Sequence, residues 1–155
     1  MLDLYEEFKS IVSALDEQGI DYAVCGGLAM AVHGFPRATI DIDLLVLAER
    51  LDEAKSVVRR LGYTIEAQPM TFSKGAVEIR RLSKIDPADG DLLMVDFLLV
   101  TPPTAQAWAS RIRVASTQGS VSVVSREGLI ALKSFRRSGQ DLDDIDRLKG
   151  SIDES

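Results

Sequence analysis

Two stretches of this chain put carboxylates where a fold would ordinarily bury hydrocarbon. In the run Ile40 to Val46, Asp41 and Asp43 alternate with branched apolar residues, and in Leu92 to Val100, Asp96 has four apolar residues on either side. Both runs have the length and composition of strands. Aspartate is a poor strand former, and an uncompensated buried carboxylate is costly. Any fold that makes these strands must therefore answer for three negative charges. Side chains two apart on a strand share a face, with alpha carbons about 6.6 Å apart. Asp41 and Asp43 are thus expected on one face, with Ile40, Ile42 and Leu44 on the other, packed into the core.

Two like charges side by side raise each other's pKa unless a cation lies between them. Solvated acids on an amphipathic strand would explain Asp41 and Asp43 by themselves, and a buried arginine or a backbone amide would explain Asp96. Taken together, three carboxylates on adjacent strands match what two hard divalent cations about 3.5 to 4 Å apart require. Magnesium prefers oxygen ligands and keeps water and substrate phosphates in its remaining positions. The expected metal ligands are Asp41, Asp43 and Asp96, the expected cofactor is two Mg2+ ions with Mn2+ as a substitute, and the expected substrate is a nucleoside triphosphate.

The rest of the chain supplies helices and further strands. Leu4, Phe8, Ile11, Val12 and Leu15 have helical spacing within Leu2 to Gln18, closed by Gly19. Leu51, Ala54, Val57, Val58 and Leu61 do the same within Glu49 to Leu61, closed by Gly62. Tyr22 to Cys25, Tyr63 to Ala67 and Ala76 to Leu82 read as strands, as do Ile112 to Ala115 and Val121 to Val124. The cluster Asp86 to Gly90 makes a turn, so the strands beside it form an antiparallel hairpin. A short helix is expected at Ala105 to Ser110. Ser125 caps a helix running to Arg137 that Ser138-Gly139 ends, and Asp141 caps the last one. The fold class is α/β in the broad sense (α+β): a mixed sheet with an antiparallel hairpin, flanked by helices. Residues 1–155 are expected to form one domain, with the C-terminal helices of 125–152 packed on it.

Just before the first acidic strand, Gly26-Gly27 opens a short helix, Leu28 to His33, stopped by Gly34. A glycine turn entering a helix leaves backbone N–H groups free to meet phosphate oxygens, and equally it is just a tight turn. Arg37 offers a bidentate phosphate donor or a partner for an aspartate. Thr39 precedes the acidic strand, where its hydroxyl could orient Asp41, although a β-branched strand residue needs no such role. The segment GGLAMAVHGFPRATIDIDLLV, residues 26 to 46, resembles the signature of the nucleotidyltransferase superfamily, the DNA polymerase beta-like fold: a glycine pair, a short helix, an Arg-x-Thr-x-Asp-hydrophobic-Asp strand, and a later acid on another strand. With His33-Gly34 and Arg37-x-Thr39 it is most similar to small bacterial proteins related to the abortive-infection (AbiEii-type) toxins of toxin-antitoxin systems, and to minimal nucleotidyltransferases.

That resemblance implies transfer of a nucleoside monophosphate from a triphosphate to a hydroxyl, with Asp41, Asp43 and Asp96 catalytic. It places Gly26 and Gly27 at the triphosphate and both ions on Asp41 and Asp43, with Asp96 binding the ion that activates the acceptor hydroxyl and acting as the local base or its aid. Lys133, among the apolar Leu129, Ile130 and Leu132, would by the same resemblance reach the triphosphate; otherwise it reaches out to solvent. The implied acceptors include an RNA or tRNA end, and the implied partners a cognate antitoxin protein.

Composition sets limits on these readings. With 18 Lys and Arg against 24 Asp and Glu the formal charge is -6, so no global field draws the chain to nucleic acid or anionic membrane. Any RNA contact must be local, and Arg111, Arg113, Arg136 and Arg137 are its candidates. The one cysteine, Cys25, and an acidic, amphipathic start read as cytoplasmic. No run approaches the roughly 20 apolar residues that span a bilayer. His33 is expected to close the short helix and Cys25 to be buried, neither of them catalytic. Two other readings stay open: a non-catalytic nucleotide-binding or regulatory protein of the same fold, and a metal-dependent nuclease, for which Glu78-Ile79-Arg80 is the nearest acid-and-base pattern.

Overall fold

A computed structural model describes residues 2–35, 40–116, 119–135 and 139–153. Their order is α1 (Leu4–Glu17), β1 (Ala23–Cys25), α2 (Gly26–Val32), β2 (Asp41–Val46), α3 (Leu51–Arg60), β3 (Ile65–Glu66), β4 (Met70–Phe72), β5 (Val77–Ile85), β6 (Leu92–Leu99), α4 (Ala105–Ala109), β7 (Ile112–Ser116), β8 (Gly119–Val123), α5 (Arg126–Ser134) and α6 (Gly139–Asp153).

The strands form one sheet in the order β3-β5-β6-β2-β1-β8-β7, with β4 also paired to β5. β2 runs parallel to β6 and β1 parallel to β8, while β1–β2, β5–β6 and β7–β8 are antiparallel. This is the mixed sheet with a hairpin that the sequence predicts, and the two acid-bearing strands are neighbours near its middle. β3 and β4 lie end to end along β5, pairing with Leu82–Ser83 and Val77–Ile79 respectively.

Alternation sorts the sheet into two faces. Ile42, Leu44, Val46, Val95 and Phe97 are wholly buried on one. Lys84 is on that face of β5, and its Nζ donates to Glu7 Oε1 of α1 at 2.7 Å. The Tyr63 hydroxyl, just past α3, donates to the same oxygen at 3.1 Å. This face is therefore the one that α1 covers, and Ile11, Val12 and Leu15 of α1 join its core with Ala54, Val57 and Val58 of α3. The acids point the other way.

Three local expectations need correction. Ile40 is not a core residue: it is 60% exposed, because pairing with β6 starts only at Asp41 opposite Met94. Gly139 does not end a helix but begins α6, since α5 has already stopped at Ser134 with Phe135 as its cap. Asp141 accordingly sits in the first turn of α6 rather than capping it. The stretch 68–75, with no strand expected, contains β4. No helix among the described residues is long and apolar enough to cross a membrane.

Glu7→Ala takes the shared acceptor from both Tyr63 and Lys84, and is expected to lower the unfolding free energy by about 1–3 kcal/mol. A double-mutant cycle with Lys84→Ala in urea tests it, and a coupling energy near zero would show that the contact contributes nothing.

Candidate active site

The strand register gathers the acids. Asp43 is the direct partner of Asp96 across β2 and β6, and Cys25 is the partner of Asp43 across β1 and β2. Asp41 and Asp43 are half-buried on the face away from α1, whereas Asp96 is only 3% exposed.

The compensation for Asp96 comes from a residue that the sequence reading does not single out. Arg81 stands directly opposite Asp96 on β5. Its Nε donates to Asp96 Oδ1 at 2.8 Å and its Nη2 to Oδ2 at 2.9 Å, a fork engaging both carboxylate oxygens. That hydrogen bonding, followed by the charges of Asp96, Asp41 and Asp43, pushes the guanidinium further above its ordinary range. Arg81 thus feels all three acids. Asp96 thus has an arginine partner, as one of its two structural alternatives expected, although Arg81 is half-buried rather than buried, its side chain being 30% exposed. Among the described residues no group of three or more His, Cys, Asp and Glu side chains is gathered so as to hold a metal ion. As a donor set for a divalent cation, Asp41 and Asp43 fit, being hard oxygens on one half-exposed face. Asp96 is already occupied.

The glycine pair is built against the second acid. Gly26 adopts φ +66°, and a Cβ there would come 1.9 Å from Asp43 Oδ2 and 2.9 Å from Asp43 Cβ. Rotating the aspartate about χ1 does not move its Cβ, so a side chain at 26 cannot be accommodated by a rotamer change alone. Gly27 follows in the first turn of α2 and is buried.

Cys25 is free and buried, as expected. Burial, and next the charge of Asp43, hold its thiol well above the usual range, with Lys133 acting in the opposite direction. His33 caps α2 with its backbone, and its Nε2 lies 2.8 Å from the Val124 carbonyl, tying the helix end to the chain after β8.

Lys133 does not reach out to solvent. It is 5% exposed, and its Nζ lies 2.8 Å from Asp144 Oδ2 and 3.8 Å from Asp141 Oδ1, both on α6. It therefore links α5 to α6. It also lines, with Cys25, Gly26, Asp43 and Asp141, a cleft of about 50 Å3 whose floor includes Ile79 and Leu98 of the acidic face. Arg37 and Thr39 fall outside the described residues, as do Arg136 and Arg137. Of the expected basic patch, Arg111 packs its guanidinium 4.0 Å from the centre of the Trp108 ring, and Arg113 is on the edge strand β7. Two strands, β8 and β1, separate β7 from β2.

No family model matches the sequence, and no curated protein matches it. Solved structures do resemble it. The antibiotic-resistance factor ANT(2'')-Ia, in complex with adenylyl-2''-tobramycin, is 18% identical with a TM-score of 0.64 over 94% of this chain and 87% of its own. A Thermotoga maritima protein assigned to the nucleotidyltransferases is 16% identical, with a TM-score of 0.59 over 97% and 93%. JHP933 from Helicobacter pylori is 15% identical, with a TM-score of 0.51 over 91% of this chain and 62% of its own. The fold is that of the nucleotidyltransferases.

Two substitutions separate local strain from site geometry. Gly26→Ala is expected to destabilise the protein by at least about 1 kcal/mol more than Gly90→Ala; both glycines have positive φ, but a Cβ at Gly90 meets nothing within 4 Å. Equal losses in chemical denaturation would remove the steric argument at Asp43. Lys133→Met leaves the wholly buried Asp144 without its lysine and is expected to cost about 3–5 kcal/mol in the absence of any nucleotide. An unchanged unfolding midpoint would show that the lysine has no structural part.

Proposed function

We propose that this protein is a magnesium-dependent nucleotidyltransferase that moves a nucleoside monophosphate from a nucleoside triphosphate to a hydroxyl of a small acceptor. The observation that carries the reading is the strand register. It sets Asp41 and Asp43 beside Asp96 on adjacent parallel strands, with Gly26 cleared of any side chain directly against Asp43. The fold shared with nucleotidyltransferases supports it.

In this reading Asp41 and Asp43 hold the divalent cation, Mg2+ or Mn2+, through hard carboxylate oxygens. Such an ion, when bound, polarises the phosphate under attack and offsets the charge that develops on the departing pyrophosphate. The chain's own residues do the rest. Gly26 and Gly27 let the triphosphate approach the backbone at the start of α2. Asp96, fixed in direction by the fork from Arg81, orients the acceptor hydroxyl and favours loss of its proton. Arg37 and Thr39, in the segment leading into β2, are proposed phosphate contacts. Lys133 contributes positive charge along the cleft while anchored to α6. The cleft is far smaller than the roughly 300–1,000 Å3 of typical small-molecule sites, so a nucleotide must extend over the half-exposed Asp41 and Asp43.

A small acceptor is favoured over an RNA end by charge. The chain carries -6 overall, and Arg111 and Arg113 lie toward the opposite edge of the sheet from the acids, about three strand spacings from β2. That ANT(2'')-Ia, which shares this fold, was solved in complex with adenylyl-2''-tobramycin supports a small acceptor.

The test is label transfer. The protein is incubated with Mg2+ and each alpha-labelled triphosphate, against aminoglycosides and against total RNA, beside Asp43→Asn. Label is expected in a small acceptor with the wild type, and at least about 100-fold less with the variant, the scale of losing one group that stabilises transition-state charge. Label in RNA instead would support the toxin-like role and an antitoxin partner. Failure to label any acceptor, with Asp43-dependent nucleotide binding retained, would favour the non-catalytic reading, and cleavage of nucleic acid would favour the nuclease.

A further inference from the structure

We infer that Arg81 takes the place of a second cation among the three acids, so that the site accepts one divalent ion, on Asp41 and Asp43, rather than the pair that three carboxylates suggest. The inference rests on the proposed function, since it concerns how that same site is charged.

Three observations carry it. The first is register: Arg81, Asp96 and Asp43 stand side by side on β5, β6 and β2, one direct cross-strand partner after another. The guanidinium is thus set at the acids by the strand pairing itself, not by a mobile loop. The second is geometry: the fork engages both oxygens of Asp96, at 2.8 and 2.9 Å. The carboxylate's side chain is only 5% exposed, so a second ion would have to displace an arginine from a partly desolvated pair. Breaking such a pair from one side leaves a charge stranded, and arginine does not shed its proton to make room. The third is the donor set: among the described residues no three metal-binding side chains converge.

Arg81 is then a positioning residue. It keeps Asp96 aimed, and supplies beside the reacting groups the positive charge that a second ion would otherwise bring. Unlike an ion, it is present before substrate arrives and its position is fixed by the sheet. Such preorganised charge costs no reorganisation during the reaction.

The experiment is a stoichiometry with Mn2+ alone. Mn2+ is titrated into the full chain and free ion is read by its electron paramagnetic resonance signal, so the result does not depend on turnover. Wild type is expected to bind one equivalent, Asp43→Asn none, and Arg81→Met two, the second through the freed Asp96. Arg81→Gln, which keeps one donor for Asp96, replaces Arg81→Met should that variant fail to fold, and is also expected to bind two. Two equivalents in wild type would overturn the inference and leave the proposed function standing. One equivalent in both wild type and the folded Arg81 variants would overturn it as well. No binding, or binding indifferent to Asp43, would overturn the proposed function and the inference with it.

Discussion

The fork between Arg81 and Asp96 is the interaction on which this architecture turns. A carboxylate at the centre of an eight-stranded sheet, 3% exposed and flanked by Val95 and Phe97, is tolerable only with a charged partner that meets both oxygens. Arg81 can be that partner only if β5 and β6 pair in one register. A slip of a single residue would turn Asp96 onto the face that α1 covers, among Ile42, Leu44 and Val95. The ion pair therefore ties the hairpin's register to the arrangement of the acids, and the same contact that permits the fold determines the charge of the site.

A second buried pair repeats the solution at the C-terminal end. Asp144 is wholly buried and Lys133 nearly so, and their contact joins α5 to α6 beside the cleft where Asp43 and Gly26 meet Cys25. Gly128 lets α5 come close to α4, since a Cβ there would be 3.3 Å from the Ala107 alpha carbon. That charge pair and that close approach add to apolar packing, since Leu129 and Leu132 of α5, Leu148 of α6 and Ala107 of α4 belong to the same buried core as the residues of α1 and α3.

Much of this was legible in the sequence, because the periodicities are strong. The alternation in β2, the heptad-like spacing in α1 and α3, and the turn at 86–90 each follow from local chemistry that the tertiary structure does not override. Ile40 was misread because alternation says which face a residue would take but not where the partner strand begins. β4 escaped because Met70-Thr71-Phe72 is too short to show a period. Arg81 is more instructive: its importance depends on pairing, not on its neighbours in sequence. The signal was nevertheless present. Once the turn is placed, Ile85 opposes Leu92, and counting four residues outward along each strand brings Arg81 opposite Asp96. The role of Lys133 was harder to see, because its partners are on a helix whose start, at Gly139, read as a helix end.

The way these charges are balanced also bears on the order of folding and binding. Where a metal site consists of acids that repel one another, the ion must arrive before the site can close, and binding free energy becomes folding free energy. Here the most buried of the three strand acids is answered by an arginine and the C-terminal acids by a lysine, both from within the chain. Asp41 and Asp43 are only half-buried, so water screens part of their repulsion. The sheet can therefore form its register without an ion, and the substrate meets a site whose directions are already set. The arrangement costs the protein ligand capacity at Asp96 and gives it a preorganised positive charge in return.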